Sequence, residues 1–261
     1  MKTTTTTKPA PATKPVKPRK PRLKAGILWQ GASPIDGAPI VCILTIGSKN
    51  SKTGAMAQTW IIRADMHPVD ALKTGEDASI CGTCPHRPTE LGDLALSKLY
   101  RTCYVATMAP SAVYKAFKAG KYPTLELQET ADALAGRSLR LGSYGDPATV
   151  PLEVWRAIIG RCSTTGYTHQ WRECDPNYSE FLMASADTPA DVITATANGW
   201  RVFYADRDPA PIIGGRKLAL CPASKEAGKR TTCANCLACG GNRIQPNEFK
   251  PRASLIRIAL H

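Results

Sequence analysis

The chain has 261 residues, 43% of them hydrophobic, and a formal net charge of +13. This length and composition suit one large domain with a substantial core. They exclude a membrane-spanning helix, because the longest apolar runs, such as residues 40–46, are far shorter than the roughly 20 residues that a bilayer requires. The N-terminal part lacks the apolar segment of a secretory signal, so we expect a cytoplasmic, reducing compartment.

The positive charge is concentrated at the N-terminus. Residues 1–24 contain eight lysines and arginines and no acidic residue, and the rest of the segment is mostly threonine and proline. Such a segment cannot bury enough apolar surface to fold, so we expect a disordered tail. Nucleic acid is the commonest partner of such a basic tail, and the alternative is a tail that only increases solubility.

The remaining residues, 25–261, predict a single α/β domain. Strands that alternate with helices indicate a mainly parallel sheet, and the short strands favour a partial or distorted β/α barrel behind a small N-terminal antiparallel β-layer. The predicted strands are 26–30, 39–47, 57–63, 138–144, 167–171, 180–186, 200–205 and 254–260. The predicted helices are 67–74, 111–119, 127–134, 151–161 and 189–198. The β-layer and a first cysteine group occupy 25–110, the β/α units 111–220, and a cysteine-rich, metal-binding segment with the last strand 221–261.

Seven of the ten cysteines form two groups. The first cysteine group is Cys81, Cys84 and Cys103, and the second cysteine group is Cys221, Cys233, Cys236 and Cys239. A Cys-x-x-Cys turn brings two thiolates onto one metal ion, and successive two-residue gaps also suit an iron–sulfur cluster. Zinc and a 4Fe-4S cluster both accept four thiolates, so the spacing predicts metal binding and leaves the metal open. His86 is a further candidate ligand of the first group, which would otherwise keep an open coordination position.

The other three cysteines have simpler interpretations. Cys42 lies inside a continuous apolar strand, where we expect a small buried side chain. Cys162 and Cys174 flank the predicted strand 167–171, and we interpret them as free thiols rather than additional ligands.

Polar residues recur where predicted strands end. In a β/α barrel, these carboxyl ends line the active site. The residues are Ser143, Tyr144, Asp146, Thr168, His169, Gln170, Ser185, Asp187, Tyr204, Asp206 and His261. Of these, His169, Asp146 and Asp187 are the candidate catalytic residues. Aspartates also cap helices and close turns, so a structural role is the alternative for Asp146 and Asp187.

Several motifs together resemble those of uncharacterised bacteriophage proteins of the gene-88 type. The motifs are CGTCPHR, GSYGDPA, TGYTHQWR, GWRVFYAD and CANCLACGG, and the resemblance covers about residues 25–261. These phage proteins are distantly similar to radical S-adenosylmethionine proteins, which implies a partial β/α barrel with cysteine-bound iron–sulfur clusters in the host cytoplasm.

The resemblance also implies roles for individual residues. The first cysteine group would hold a cluster with one open iron, and the second would hold a fully ligated auxiliary cluster. Ser143, Gly145 and Asp146 would lie where S-adenosylmethionine is bound. The first group has the spacing C-x2-C-x18-C, whereas that superfamily has C-x3-C-x2-C on one loop. Two hypotheses remain: an iron–sulfur enzyme, and a zinc-stapled protein that binds nucleic acid or a host component without catalysis.

Overall fold

The computed structural model describes residues 22–47, 50–88, 101–103, 105–228, 230–246 and 253–259 and has a mixed α/β fold, as predicted. Nearly all of the predicted tail lies outside the described residues. The strands are β1 (Gly26–Ala32), β2 (Pro39–Thr45), β3 (Ala57–Arg63), β4 (Ser138–Tyr144), β5 (Ser163–Thr165), β6 (Tyr167–Thr168), β7 (Met183–Ala186), β8 (Val202–Asp206), β9 (Ile212–Ile213), β10 (Arg216–Lys217), β11 (Ala219–Leu220) and β12 (Leu255–Ala259). The helices are α1 (Pro68–Thr74), α2 (Ala78–Cys81), α3 (Met108–Lys118), α4 (Leu127–Leu134), α5 (Leu152–Ile159), α6 (Pro189–Ala197) and α7 (Cys233–Cys236).

The first sheet has the strand order β1-β2-β3-β4-β5. Strands β1, β2 and β3 are antiparallel neighbours, as predicted for the N-terminal layer, but β3 then pairs in parallel with β4. The layer is therefore part of a larger sheet rather than a separate unit. Its centre is β2, which is fully buried from Ile40 to Leu44, and Cys42 is a buried core side chain there.

The second sheet has the order β11-β12-β8-β7-β6, and all of its pairs are parallel. Only Gly166 separates β5 of the first sheet from β6 of the second, so the chain passes between the sheets at this residue. A side chain would not fit there, because a Cβ on Gly166 would lie 2.7 Å from Leu182 Cδ2 and 3.0 Å from Leu141 Cβ. Among the described residues, the strands do not close into a barrel.

Helices and short turns cover the sheets and fix the strand ends. Trp155 of α5 is fully buried, and its indole nitrogen donates to the Pro147 carbonyl at 2.9 Å. Thr188 begins α6 through a capping box with Asp191, directly after the end of β7. The turns that follow β4 and β7 are therefore held in place by hydrogen bonds. No helix in the described part of the chain is both long and apolar enough to cross a membrane.

The largest shortfalls from the predicted strands are at 167–171 and 180–186. The strand predicted at 167–171 ends at Thr168, because a turn begins at Gln170. The Gln170 carbonyl accepts hydrogen bonds from the amides of Glu173 and Cys174. The strand predicted at 180–186 begins at Met183, because Pro176–Glu180 form a 3₁₀-helix. Proline fixes the backbone angle that starts such a turn, and Asp175 caps it by accepting from the Asn177 amide.

Candidate metal centres

The first cysteine group surrounds a cavity next to the end of α2. Cys81 is the last residue of α2, and the Cys84 amide donates to its carbonyl at 3.2 Å. Cys103 returns to the same place because its amide donates to the His86 carbonyl at 3.1 Å. All three thiols line a cavity of about 140 Å³, together with His86 and His169. Burial raises the pKa of both Cys81 and Cys103.

An arginine holds the loop that carries Cys81 and Cys84. Arg87 forms a two-pronged ion pair with Asp77, with nitrogen–oxygen distances of 2.8 and 3.0 Å. The same guanidinium donates to the carbonyls of Gly75 at 2.6 Å and Gly82 at 3.2 Å. The Asp77 carboxylate is 1% exposed, so this pair is buried on the aspartate side. It closes the loop from both ends and thereby positions the two thiols.

Two histidines and an aspartate meet beside this cysteine group. His86 Nε2 lies 2.9 Å from Asp187 Oδ1, and His169 Nε2 lies 3.3 Å from Asp187 Oδ2. The two imidazole rings approach edge to face, with centroids 5.5 Å apart. Among the described residues, this is the only group in which three metal-ligating side chains bring ligand atoms within 4.8 Å of one another.

Electrostatics favour the charged forms of His169 and Asp187. Burial lowers the pKa of His169, but its contacts with Asp187 and Cys84 outweigh burial and raise the pKa to about 10. Burial raises the pKa of Asp187, but its contacts with His169 and His86 outweigh burial and hold the pKa below its usual range. The aspartate is therefore an anion held between two imidazoles.

Asp146 joins the strand ends to the cysteine loop. Its carboxylate accepts from the amides of Ala148 at 2.9 Å and His169 at 2.8 Å. Its own amide donates to the Ile80 carbonyl in α2 at 2.6 Å. Burial raises the pKa of Asp146. In addition, Gln170 Nε2 donates to the Cys81 carbonyl at 3.2 Å, which ties the same turn to α2.

The second cysteine group lies at the carboxyl edge of the second sheet. Cys221 follows β11, and its amide donates to the Arg257 carbonyl in β12 at 2.9 Å. Cys233 and Cys236 form the ends of α7, and the Cys239 carbonyl accepts from the Gly166 amide at 2.9 Å. The four thiols line one small cavity. Burial raises the pKa of Cys239 to about 12.

A larger cavity separates the two cysteine groups. Its volume is about 470 Å³, and Cys221, Cys233 and Cys239 line one side. It adjoins the cavity of the first group, because the two share the lining residues Val105, Arg140, Ser143, Tyr167 and Phe203. The Tyr167 and Phe203 rings stack with centroids 4.2 Å apart. The two groups therefore line adjoining cavities.

The other predicted strand-end residues have varied surroundings. Ser143 lines both cavities, and its buried hydroxyl has no hydrogen-bond partner. Gly145 has a φ of 77°, and a Cβ there would lie 2.6 Å from the Ile61 carbonyl oxygen. Asp206 accepts a hydrogen bond from the Tyr204 hydroxyl at 2.6 Å, and His261 lies outside the described residues.

Sequence reasoning missed two features of this region. It treated His86 as a possible partner of the cysteines, whereas the structure places its Nε2 against Asp187. It also gave no role to Asp77 and Arg87. A cationic residue three positions after Cys84 was the available signal for the ion pair, but its partner could not be identified from spacing.

No protein-family model matches this sequence, and comparisons with curated proteins and with solved structures find no match. The resemblance to phage gene-88-type proteins therefore stays a prediction.

Proposed function

We propose that this protein is an iron–sulfur redox enzyme in which two clusters face one substrate cavity. The observation that carries the proposal is the placement of two groups of partly or fully buried thiols against adjoining cavities. A metal ion that only stabilises the fold needs neither a second cysteine group nor a shared cavity. Electron transfer to a bound substrate uses both.

Neither cysteine group is gathered around one point in the way that a single zinc ion requires. Four thiolates on one zinc ion stand about 3.8 Å apart, given tetrahedral geometry and a Zn–S bond of about 2.3 Å. In the described residues, no three cysteine sulfurs lie within 4.8 Å of one another. A cubane cluster places its irons at separate corners, so its thiolates stand further apart than those on one ion. The second group supplies four ligands and the first group three.

The strand order is also compatible with a partial β/α barrel. From β3 onward, every pair in the first sheet is parallel, and the parallel order continues through Gly166 into the second sheet. We infer that these strands form an open, curved wall, with polar residues at its carboxyl edge. This is the arrangement that the sequence resemblance implies.

The chain itself supplies groups that would bind and enclose a substrate. Arg140 lies over the Tyr167 ring at 5.1 Å and lines both cavities, so it brings positive charge to an anionic substrate. Phe203 and Tyr167 stack on each other and contribute apolar surface to both cavities. Ser143, Gly145 and Asp146 would form the S-adenosylmethionine contact at the open position of the first cluster. The clusters, when bound, would supply electrons one at a time.

The test is an anaerobic purification of the full chain, followed by measurement of iron, acid-labile sulfide and the visible absorption spectrum. We expect a brown protein with iron and sulfide. Cys103→Ser and Cys236→Ser should each remove part of both, which would show that there are two clusters. A colourless protein containing zinc would refute the proposal.

A zinc-containing protein would favour the alternative, a metal-stapled module that binds nucleic acid. Salt-dependent binding to nucleic acid, measured with and without residues 1–24, would then test that function. Contacts made by the basic tail should weaken steeply as salt rises, because each neutralised phosphate releases counterions.

A further inference from the structure

We propose that His86, His169 and Asp187 form a separate site for one divalent first-row transition-metal ion. Two imidazole nitrogens and one carboxylate are a common ligand set for such ions, and they leave coordination positions open for water or substrate. This site is distinct from the cysteine-bound clusters proposed above. It also changes the role expected of His169, from a candidate catalytic residue to a metal ligand.

The nitrogen–oxygen distances fall in the range for ligands of one ion, with each imidazole facing a different oxygen of Asp187. Ligands about 2.0–2.2 Å from a common ion stand about 2.8–3.6 Å apart in tetrahedral or octahedral geometry. The two nitrogen–oxygen distances here are 2.9 and 3.3 Å. His86, His169 and Asp187 have side-chain exposures of 14%, 18% and 21%, so the cluster is shielded but remains reachable. The imidazoles line the cavity of the first cysteine group, into which the open positions would face.

The contact between His86 and Asp187 is short but is not aligned as a hydrogen bond, a geometry that a shared cation between the two atoms would also produce. Asp187 Oδ1 is buried and has no hydrogen-bond partner, although His86 Nε2 lies only 2.9 Å away. His86 Nδ1 lies 2.6 Å from the Thr102 hydroxyl. When Nδ1 donates its proton to Thr102, Nε2 presents a lone pair to the carboxylate. A metal ion between the two removes that repulsion, and the Thr102 contact then orients the ring.

The three ligands come from positions that the fold fixes independently. His169 follows β6 and Asp187 follows β7, which are parallel neighbours, so both lie at the same sheet edge. The Asp146 carboxylate holds the His169 amide, and the Asp191 carboxylate accepts from the Asp187 amide at 3.1 Å. The backbone on both sides of the site is thus ordered by hydrogen bonds. Cys84 Sγ lies 3.9 Å from His169 Nε2.

The test counts metal ions in the purified full chain by elemental analysis, before and after dialysis against Mn²⁺. Manganese prefers oxygen and nitrogen ligands to thiolates, so it probes this cluster rather than the cysteines. Besides the iron that accompanies labile sulfide, we expect one divalent ion per chain. This ion is either a metal retained through purification or the added manganese. Asp187→Asn and His86→Gln should each lose that ion and keep the sulfide content.

Two matched variants serve as controls. His67→Gln changes a histidine that caps α1, and Asp206→Asn changes the aspartate that ends the neighbouring strand β8. Both should retain the additional ion. Circular dichroism of each variant checks that it has folded. Equal metal content in the wild type, Asp187→Asn and His86→Gln would overturn the proposal and leave a plain ion-pair network. Labile sulfide reports on the clusters separately, so failure of one proposal does not imply failure of the other.

Discussion

The ion pair between Arg87 and Asp77 should make an unusually large contribution to stability and metal binding. Asp77 is almost completely buried, and Arg87 supplies two donors to its carboxylate and two more to backbone carbonyls. In the variant Arg87→Ala, the carboxylate would stay buried without its partner. We therefore expect destabilisation rather than the near-neutral effect of removing an exposed ion pair.

The magnitude follows from the burial of the pair. Breaking a buried ion pair by removing one partner costs about 3–5 kcal/mol. Because the Arg87 side chain is 24% exposed, the lower end of that range applies. A loss of about 3 kcal/mol corresponds to a change of roughly 150-fold in the unfolding equilibrium constant. With a urea m-value of about 3 kcal/mol/M, the midpoint should fall by about 1 M.

The assay is urea unfolding of the metal-free and metal-loaded proteins, followed by circular dichroism. Arg156→Ala is a matched control, because Arg156 pairs with Glu180 at the surface, with exposures of 46% and 44%. It should leave the midpoint almost unchanged. Arg87→Ala should also lower the amount of metal retained, because the loop carrying Cys81 and Cys84 is no longer closed. Equal midpoints and equal metal content in the two variants would refute this reasoning.

Three further substitutions test the surroundings of the proposed centres. In Gly241→Ala, the added Cβ would lie 2.2 Å from the Phe181 nitrogen, so thermal unfolding should show a large loss of stability. Gly160→Ala is the control and should show no loss, because its added Cβ would have no neighbouring atom within 4 Å. Asp146→Asn turns one acceptor into a donor facing a backbone amide and should cost about 1–3 kcal/mol in the same assay, whereas an unchanged melting temperature would contradict its role. Cys84→Ser should reduce labile sulfide if this thiol binds the first cluster; unchanged sulfide with an altered divalent-metal count would assign it to the histidine site.

Apolar patterning predicts the long elements of this fold well. β2 is recognisable because Ile40 to Leu44 are all apolar, and a strand buried on both faces requires such a run. Short elements are harder to predict. Helices α2 and α7 have four residues each, too few for a helical period, and their positions depend on contacts with distant segments. The turn at Gln170, which ends the strand predicted at 167–171, is likewise too short to show a periodic pattern.

The residues of the candidate site were likewise predictable only in part. Asp146 and Asp187 could be selected from the sequence because each follows a predicted strand, and His169 because it lies in one; parallel strands end at one edge of a sheet. The pairing of His86 with Asp187 could not, because it joins a loop after α2 to the end of β7. Periodicity and spacing describe neighbours along the chain, whereas this contact depends on how the chain folds back. Cysteine spacing indicated which thiols belong together, but gave no sign that both groups adjoin one cavity.

Gly166 connects the two halves of the site. Its amide donates to the Cys239 carbonyl at 2.9 Å, and its carbonyl accepts from the Met183 amide at 3.0 Å. Strand β6 follows Gly166 directly and leads to His169. The Cβ added by Gly166→Ala would crowd the neighbouring leucines, and overpacking of this kind costs about 1–3 kcal/mol. Because the strain falls at the junction of the sheets, we expect iron in the second cysteine group and metal at His169 to decrease together. Separate metal and sulfide counts would test this. Loss confined to one centre would show that the two halves are positioned independently.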